Sequence, residues 1–204
     1  MLTILISAFS ISLAAALTPG PVIAVTLAKS YRSAWAGFQV ALGGLIVEVP
    51  IILLIYFGFS RFLQSAVVQV ILGISGGIML IVLGIMLFRR RSNVLEHGKD
   101  LPVSAFKLGA VTSLVNPGML VWWATVGALF ISQIAAYGTS GLIWLILAIE
   151  LPNFFWYSAA SILFNRYNHI WSSHWQSIMI IIFSFVLAGF GIYFITNAIT
   201  LCSQ

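Results

Sequence analysis

Composition and charge exclude a water-soluble fold, because 61% of the 204 residues are apolar and only 6% are charged, whereas soluble domains hold about 45–50% and about 25%. The formal net charge is +5, but the basic residues lie in short gaps between apolar runs and form no continuous basic stripe, which argues against a nucleic-acid partner. The chain is therefore predicted to be an all-α integral membrane protein, since helices satisfy their own backbone hydrogen bonds in lipid.

Six apolar stretches are long enough to cross a bilayer as helices, which takes about 20 residues each. In chain order they cover residues 2–27, 34–59, 66–88, 108–134, 140–164 and 177–201. The uncharged run 108–149 is too long for one crossing, so we divide it at a turn predicted for residues 136–141. The prediction is one transmembrane domain, residues 1–204, with half-repeats of about 1–90 and 105–204 joined by a polar linker at 89–107.

Basic residues are distributed unequally between the two sides of these spans. The first, third and fifth connections hold eight of the nine Lys and Arg residues, and the opposite side holds only Arg61. Because cytoplasmic connections are enriched in Lys and Arg, both termini are predicted to lie outside an inner (plasma) membrane. The first apolar stretch has no Lys or Arg before Lys29, unlike a signal peptide, and is expected to remain as the first span.

Two features shared by the halves predict a 3+3 inverted repeat. The first helix of each half is interrupted by proline, in the sequences Thr-Pro-Gly-Pro at 18–21 and Asn-Pro-Gly at 116–118. The second helix of each half carries Glu-x-Pro, at Glu48 and Glu150. Since three spans is an odd number, the second half would insert upside down relative to the first. Transporters of this kind bind substrate between their broken helices.

The interrupted helices 1 and 4 are therefore candidate substrate-binding segments. Their break residues are Thr18, Pro19, Gly20 and Pro21 in the first helix and Asn116, Pro117 and Gly118 in the fourth. Backbone carbonyls freed by proline are tolerated in a membrane only against protein or water, and the helix N-terminus after Pro21 would favour the carboxylate of a small zwitterion. The alternative is a packing kink, since Pro and Gly are frequent in membrane helices.

Glu48 and Glu150 are the acids inside the predicted spans. A charged carboxyl is costly in the bilayer, so each is expected to face the bundle interior or a cavity, where it can exchange protons. Asn153 lies one turn beyond Glu150 and is expected on the same face, as a further substrate-binding residue. The alternative is that each Glu is protonated and bridges two helices as a structural hydrogen bond.

Several other residue types give weaker signals. The glycines of spans two and three, at 37, 43, 44, 73, 76, 77 and 84, have spacings typical of close helix packing and would suit a homodimer as well as internal contacts. Trp122 and Trp123 follow the second break, and we assign Trp122 to the substrate site. His169 and His174 have no carboxylate or thiol near them in sequence, so no metal site is predicted. The single cysteine, Cys202, argues against redox chemistry, and no cofactor is expected.

Thr18-Pro19-Gly20-Pro21 late in the first helix and residues 114–117 (Leu-Val-Asn-Pro) early in the fourth, in a chain of six spans, resemble the LysE/RhtB family of amino-acid exporters. The resemblance covers essentially the whole chain. It implies efflux of amino acids or related small metabolites, driven by the proton gradient, with the residues around Pro19 and Pro117 in the transport core.

This chain departs from the family pattern at three positions. Gly118 stands where members often have a basic or amide residue, and Asn153 where many carry an acid. Gly44 stands where the most similar branch often has a His. The resemblance therefore does not imply a particular substrate, and it leaves open whether Glu150 replaces the usual acid of span five.

The sequence thus predicts a secondary transporter, and not an enzyme, that exports amino acids or related zwitterions by proton antiport and alternating access. Glu48 and Glu150 are the candidate proton-coupling residues. A gradient-independent channel or facilitator of the same architecture is the main alternative. A membrane redox protein or a purely structural subunit is the alternative from another class, and the single cysteine and the intramembrane acids argue against it.

Overall fold

The computed structural model of the protein describes residues 1–18, 20–58, 66–89, 103–167 and 173–202. Within these ranges the regular elements are helical, and no strand is present. The helices are α1 (Leu2–Leu17), α2 (Pro21–Ser30), α3 (Ala36–Tyr56), α4 (Ala66–Arg89), α5 (Ala105–Leu114), α6 (Pro117–Trp122), α7 (Ala128–Ile134), α8 (Gly138–Tyr167) and α9 (Ser173–Cys202). A π-helical turn, Trp123–Gly127, connects α6 to α7, and a 3₁₀ turn, Ala135–Tyr137, connects α7 to α8.

Length and composition allow three described helical stretches to cross a membrane: Ala36–Tyr56, Gly118–Tyr167 and Ile180–Leu201. The helices α1 and α2, bent by 65° at their junction, form a fourth if they are counted as one broken span. Two further apolar helices, Gly73–Arg89 and Ala105–Leu114, are shorter.

The stretch Gly118–Tyr167 is folded back on itself. Its 50 residues would extend about 75 Å as one straight helix, more than twice the thickness of a hydrocarbon core. The 3₁₀ turn and Gly138, with φ 61° and ψ −154°, interrupt it. That φ favours glycine. Trp123 and Glu150, on opposite sides of this turn, both approach Glu48, so α7 and α8 run antiparallel. The turn falls within the predicted residues 136–141, although α8 already begins at Gly138.

Both predicted proline breaks are present. Helix α1 ends at Leu17 and α2 begins with Pro21 at its first position, after an extended Gly20; Pro19 lies outside the described residues. Helix α5 ends at Leu114, and Asn116 caps the next helix, its Oδ1 accepting a hydrogen bond from the Gly118 amide at 3.0 Å. Proline suits the first position of a helix because it lacks a backbone N–H, and an N–H at that position has no acceptor within the helix.

The structure corrects one boundary of the predicted polar linker. Helix α5 begins at Ala105, three residues before the predicted start of span four, and Lys107 lies inside it. Ser104 caps this helix, because its hydroxyl oxygen accepts a hydrogen bond from the Lys107 amide at 3.3 Å. A Ser directly before an apolar run is typical of such a helix cap. The linker residues Arg90, Arg91 and Lys99 lie outside the described residues. The same is true of Arg61, of His169 and of the side chain of Cys202.

Three helix pairs make the most extensive contacts: α4 with α9, α3 with α5, and α1 with α8. Glycine allows these close approaches. A Cβ on Gly77 would lie 2.5 Å from the carbonyl oxygen of Gly191, and one on Gly191 would lie 2.6 Å from that of Gly77. A Cβ on Gly43 would collide with the Phe106 backbone, and one on Gly37 with the Tyr157 backbone. These predicted packing glycines therefore serve contacts inside the chain.

Hydrogen bonds tie the end of α2 to the end of α8. The hydroxyl oxygens of Ser30 and Ser161 are 2.8 Å apart, Ser161 donates to the Ala34 carbonyl at 2.9 Å, and the Asn165 amide donates to the Ser30 carbonyl at 2.8 Å. At the other end of the molecule, the N-terminal amine of Met1 donates to the Tyr137 hydroxyl at 2.9 Å.

Candidate functional site

A cavity of about 400 Å³ lies where the two helix breaks converge, within the range of about 300–1,000 Å³ typical of small-molecule sites. Thr18, Gly20 and Pro21 line it from the first break, and Asn116 and Gly118 line it from the second. Helices α1, α3, α5, α6, α8 and α9 contribute further lining residues.

Most of the residues that the sequence predicted for a substrate site line this one cavity. Besides the five break residues, Glu48, Trp122 and Asn153 contribute to its walls. Pro117 begins α6 at the second break, but its side chain, like the whole of Pro19, lies outside the described residues. Glu150 is not on the cavity wall. It lines a smaller adjoining pocket instead.

Trp123 fixes the position of the Glu48 carboxylate. Its indole N–H donates to Glu48 Oε2 at 2.9 Å, and its side chain is 0% exposed. The ring of Trp122 stands nearly perpendicular to it, at 86° and 4.9 Å between ring centroids, a favourable arrangement for aromatic pairs. The carboxylate therefore has a buried donor on one oxygen, and Glu48 lines the cavity.

The local fold aims Trp123 at this position. The π-helical turn begins at Trp123, and such turns shift the side chains around them relative to a regular helix. A Cβ at Gly127 would collide with the Trp123 ring, so the missing side chain makes room for the indole. The sequence pointed to both tryptophans as following the break but assigned only Trp122; a one-residue helical irregularity that directs Trp123 inward has no simple sequence signal.

Glu48 and Glu150 are neighbours across the interface of α3 and α8, close enough to interact electrostatically. Between them lies a side pocket of about 40 Å³, lined also by Ser113, Asn153 and Tyr157, which has room for ordered water. Glu150 is 5% exposed, and its Oε1 has no hydrogen-bond partner among the described residues. Such an arrangement suits proton exchange, because two adjacent carboxyls in an apolar interior cannot both be charged without a compensating positive charge.

Gly44 differs from the packing glycines, with which the sequence grouped it. It lines the side pocket, and a Cβ there would lie 3.1 Å from Ser113 Oγ and 3.5 Å from Glu48 Oε1. Its small size keeps this space open between α3 and α5. The close approach to Ser113 agrees with the predicted packing role, and the position at the side pocket is an addition to it.

Several lining residues were not predicted from the sequence. Three are polar, Ser12, Ser113 and Tyr157, and three belong to an aromatic wall on α9, Phe190, Tyr193 and Phe194. The wall residues have the i, i+3, i+4 spacing of a helix face, but nearly every position of α9 is apolar, so periodicity does not distinguish a cavity face from a lipid face.

The sequence profile of the family described as LysE type translocator matches residues 13–198. The chain belongs to the LysE type translocator family. Membership confirms the resemblance seen in the sequence and the prediction of an integral membrane transport protein instead of an enzyme.

A curated relative of this LysE type translocator is the "Putative amino acid efflux protein YcgF" of Bacillus subtilis (strain 168), 28% identical over 130 residues. The match spans 61% of this chain and 62% of that relative, less than two thirds of its length. No solved structure matches the chain significantly.

Proposed function

We propose that this LysE type translocator is a secondary transporter that exports amino acids or related small zwitterionic metabolites from the cytoplasm by proton antiport and alternating access. The observation that carries the proposal is the single cavity that brings together both helix breaks and the Glu48 carboxylate, with Glu150 directly behind it. Family membership and the printed name of the Bacillus relative support the export of amino acids.

The proposed architecture has six spans in a 3+3 inverted repeat, with both termini outside the inner membrane. Helix contacts support the repeat: α3, second in its half, packs on α5, and α8, second in its half, packs on α1, while α4 and α9, the last of each half, pair with each other. A two-fold exchange of the halves reproduces all three pairs. The folding back at Gly138 supports two crossings in the stretch Gly118–Tyr167.

Contacts at the two ends of the molecule support the proposed orientation. Met1 and Tyr137 meet at one end, where the proposal places the N-terminus and the fourth connection outside. Ser30 and Asn165 meet at the other, beside the first and fifth connections, which carry Lys29, Arg32 and Arg166. The positive-inside rule assigns that end to the cytoplasm.

Substrate is proposed to bind in the cavity through groups of opposite charge. The N-terminus of α2, whose first-turn residues Val22 and Ile23 line the cavity, offers backbone N–H groups and the positive end of a helix dipole to a carboxylate. Glu48 offers its carboxylate to an ammonium group. Thr18, Asn116 and Asn153 provide hydrogen-bonding side chains between these poles.

Protons and the ammonium group are proposed to compete for the carboxyl pair. A proton arriving from outside neutralises Glu48 and releases the substrate, and loss of that proton to the cytoplasm restores the binding site. Glu150, whose Oε1 faces no other partner among the described residues, is proposed to accept a proton through the side pocket. This exchange couples the two fluxes, because neither form of the site holds both ligands.

Efflux of labelled amino acids from proteoliposomes tests this function. We expect an imposed proton gradient to accelerate efflux by the parent protein, and Glu48→Gln to abolish the acceleration, because an amide cannot exchange protons. Glu150→Gln is expected to weaken it. Glu96→Gln, the same change in the predicted linker, is the matched control and should behave like the parent.

The outcomes distinguish the alternatives. Efflux at the same rate with and without the gradient, in the parent and in both glutamine variants (Glu48→Gln and Glu150→Gln), would mean that the carboxyls are structural and that the protein is a facilitator. Absence of any amino-acid movement by the folded parent protein would overturn the proposed substrate class.

A further inference from the structure

The cavity has a carboxyl-bearing part and an aromatic part. Glu48, Ser113, Asn153 and Tyr157 line both the cavity and the side pocket, so they mark the part of the cavity that adjoins it. The aromatic wall of α9 lines the cavity and not the side pocket. A ligand that fills this space therefore meets the Glu48 carboxyl group in one part and ring surfaces in the other.

The aromatic wall is one continuous surface. The rings of Phe190 and Phe194 have centroids 6.2 Å apart, and those of Tyr193 and Phe194 are 6.0 Å apart. Phe194 is buried and packs within an apolar core of the molecule, so it fixes the position of the other two rings. Packed aromatic rings of this kind offer a large apolar contact area with few freely rotating bonds, which favours an apolar or aromatic ligand group.

The charge of the cavity has one sign. None of the described lining residues of the cavity or the side pocket is Lys, Arg or His, and the titratable acids there are Glu48 and Glu150. An anionic side chain on a substrate would lie in a site with a carboxylate and no side-chain cation, and this repulsion is large in an apolar interior. The N-terminus of α2 can compensate the substrate's own carboxylate, and at the start of α6 the Gly118 N–H already donates to Asn116 Oδ1.

From this arrangement we infer that the cavity selects amino acids with apolar side chains, aromatic or branched aliphatic, and rejects acidic ones. This inference rests on the proposed function and names the substrate class of the same site. The ammonium group lies at the Glu48 end, and the side chain packs on Phe190, Tyr193 and Phe194. The volume of about 400 Å³ can hold one amino acid with a large side chain.

Binding to the purified full-length protein is measured first, by thermal stabilisation with phenylalanine, leucine, serine, glutamate and phenethylamine. Only ligands that bind the folded state raise the unfolding temperature. We expect phenylalanine and leucine to stabilise the protein, serine to do so weakly, and glutamate not at all. Phenethylamine, which lacks the carboxylate, should bind more weakly than phenylalanine.

Variants of the wall assign the selectivity. Phe190→Leu and Phe194→Ala are expected to weaken phenylalanine binding by about tenfold, the scale of discrimination set by lost apolar contact, and to leave serine binding nearly unchanged. Because Phe194 is buried, Phe190→Leu keeps the test valid if Phe194→Ala fails to fold. Phe185→Ala is the matched control: it lies on the same helix, is 66% exposed and contacts Phe88 instead of the cavity.

Failure of the inference and failure of the proposed function give different results. Export of amino acids with a preference for glutamate or serine, or wall variants that bind like the parent, would overturn the selectivity while leaving export in place. Phenylalanine binding that depends on Phe190, without transport in proteoliposomes, would support the site and overturn export. Neither binding nor transport of any ligand by the folded protein would overturn both.

Discussion

Single residues set the chemistry of the cavity through one hydrogen bond. The Trp123 indole holds Glu48 Oε2 at 2.9 Å in a place where few other groups stabilise a carboxylate. A buried donor to an ionised group contributes about 1.5–3 kcal/mol, and it also orients the carboxylate toward the cavity. Trp123 is therefore proposed as a positioning residue, and Glu48 as the group that contacts the substrate and the proton.

Replacement of Trp123 by Phe is predicted to slow proton-coupled efflux by about 10- to 150-fold, because Glu48 loses a hydrogen bond worth about 1.5–3 kcal/mol and each 1.36 kcal/mol is a factor of ten in rate. Efflux from proteoliposomes is the measurement. Trp144→Phe, on α8 and 53% exposed, is the control and should leave the rate unchanged. A Trp123→Phe variant with the parent's rate and gradient dependence would show that this hydrogen bond does not serve transport.

At the scale of helices, the two proline breaks and the close glycine contacts determine the cavity. The breaks bring the N-termini of α2 and α6 to the cavity edge, and the α4–α9 pair holds the aromatic wall in place. Gly77 and Gly191 face each other. A Cβ added to Gly77 would lie 2.5 Å from the carbonyl oxygen of Gly191, and one added to Gly191 would lie 2.6 Å from that of Gly77. A side chain at either position forces the helices apart, since neither obstacle is a flexible side-chain end.

Gly77→Ala is accordingly predicted to lower the free energy of unfolding by about 1–3 kcal/mol, the usual cost of overpacking. Unfolding of the detergent-solubilised protein measures the effect. Ile78→Leu, at the neighbouring position of α4 that is 53% exposed, should leave stability unchanged. Equal stability of Gly77→Ala and the parent would contradict the close contact between α4 and α9.

The helix breaks and the intramembrane acids could be predicted because their signals are local. Proline interrupts a helix wherever it stands, so the breaks at 18–21 and 116–118 follow from the chain itself, and an acid such as Glu48 has few tolerable places in a membrane. Ser113, Tyr157 and the wall of α9 could not be predicted, because their roles depend on which helix packs against which. For the same reason, the spacing of Gly44 could not predict that it also lines the side pocket.

At the scale of the whole molecule, the contacts at the two ends divide the connections into two groups that agree with the distribution of basic residues. The turn at Tyr137 shares one end with Met1, and the first and fifth connections share the other through Ser30 and Asn165. Met1 therefore lies at the end opposite the first and fifth connections, as the proposed orientation requires.

Cysteine labelling checks this topology. In a Cys202→Ser background, which removes the chain's single cysteine, Ser203→Cys is predicted to react with a membrane-impermeant maleimide in intact cells. Ser92→Cys, in the predicted linker, should react only after the membrane is permeabilised. The reverse pattern would place the termini in the cytoplasm and would contradict the proposed orientation.

The most direct test of the account is whether amino-acid export moves protons. Proteoliposomes with a trapped pH indicator receive an outward gradient of phenylalanine and no pH gradient, with the proteins oriented so that their cytoplasmic face lies inside. Proton antiport predicts acidification of the lumen by the parent and by Glu96→Gln, and none by Glu48→Gln. Phenylalanine efflux by the parent without any change of lumenal pH would contradict coupling through the Glu48–Glu150 pair.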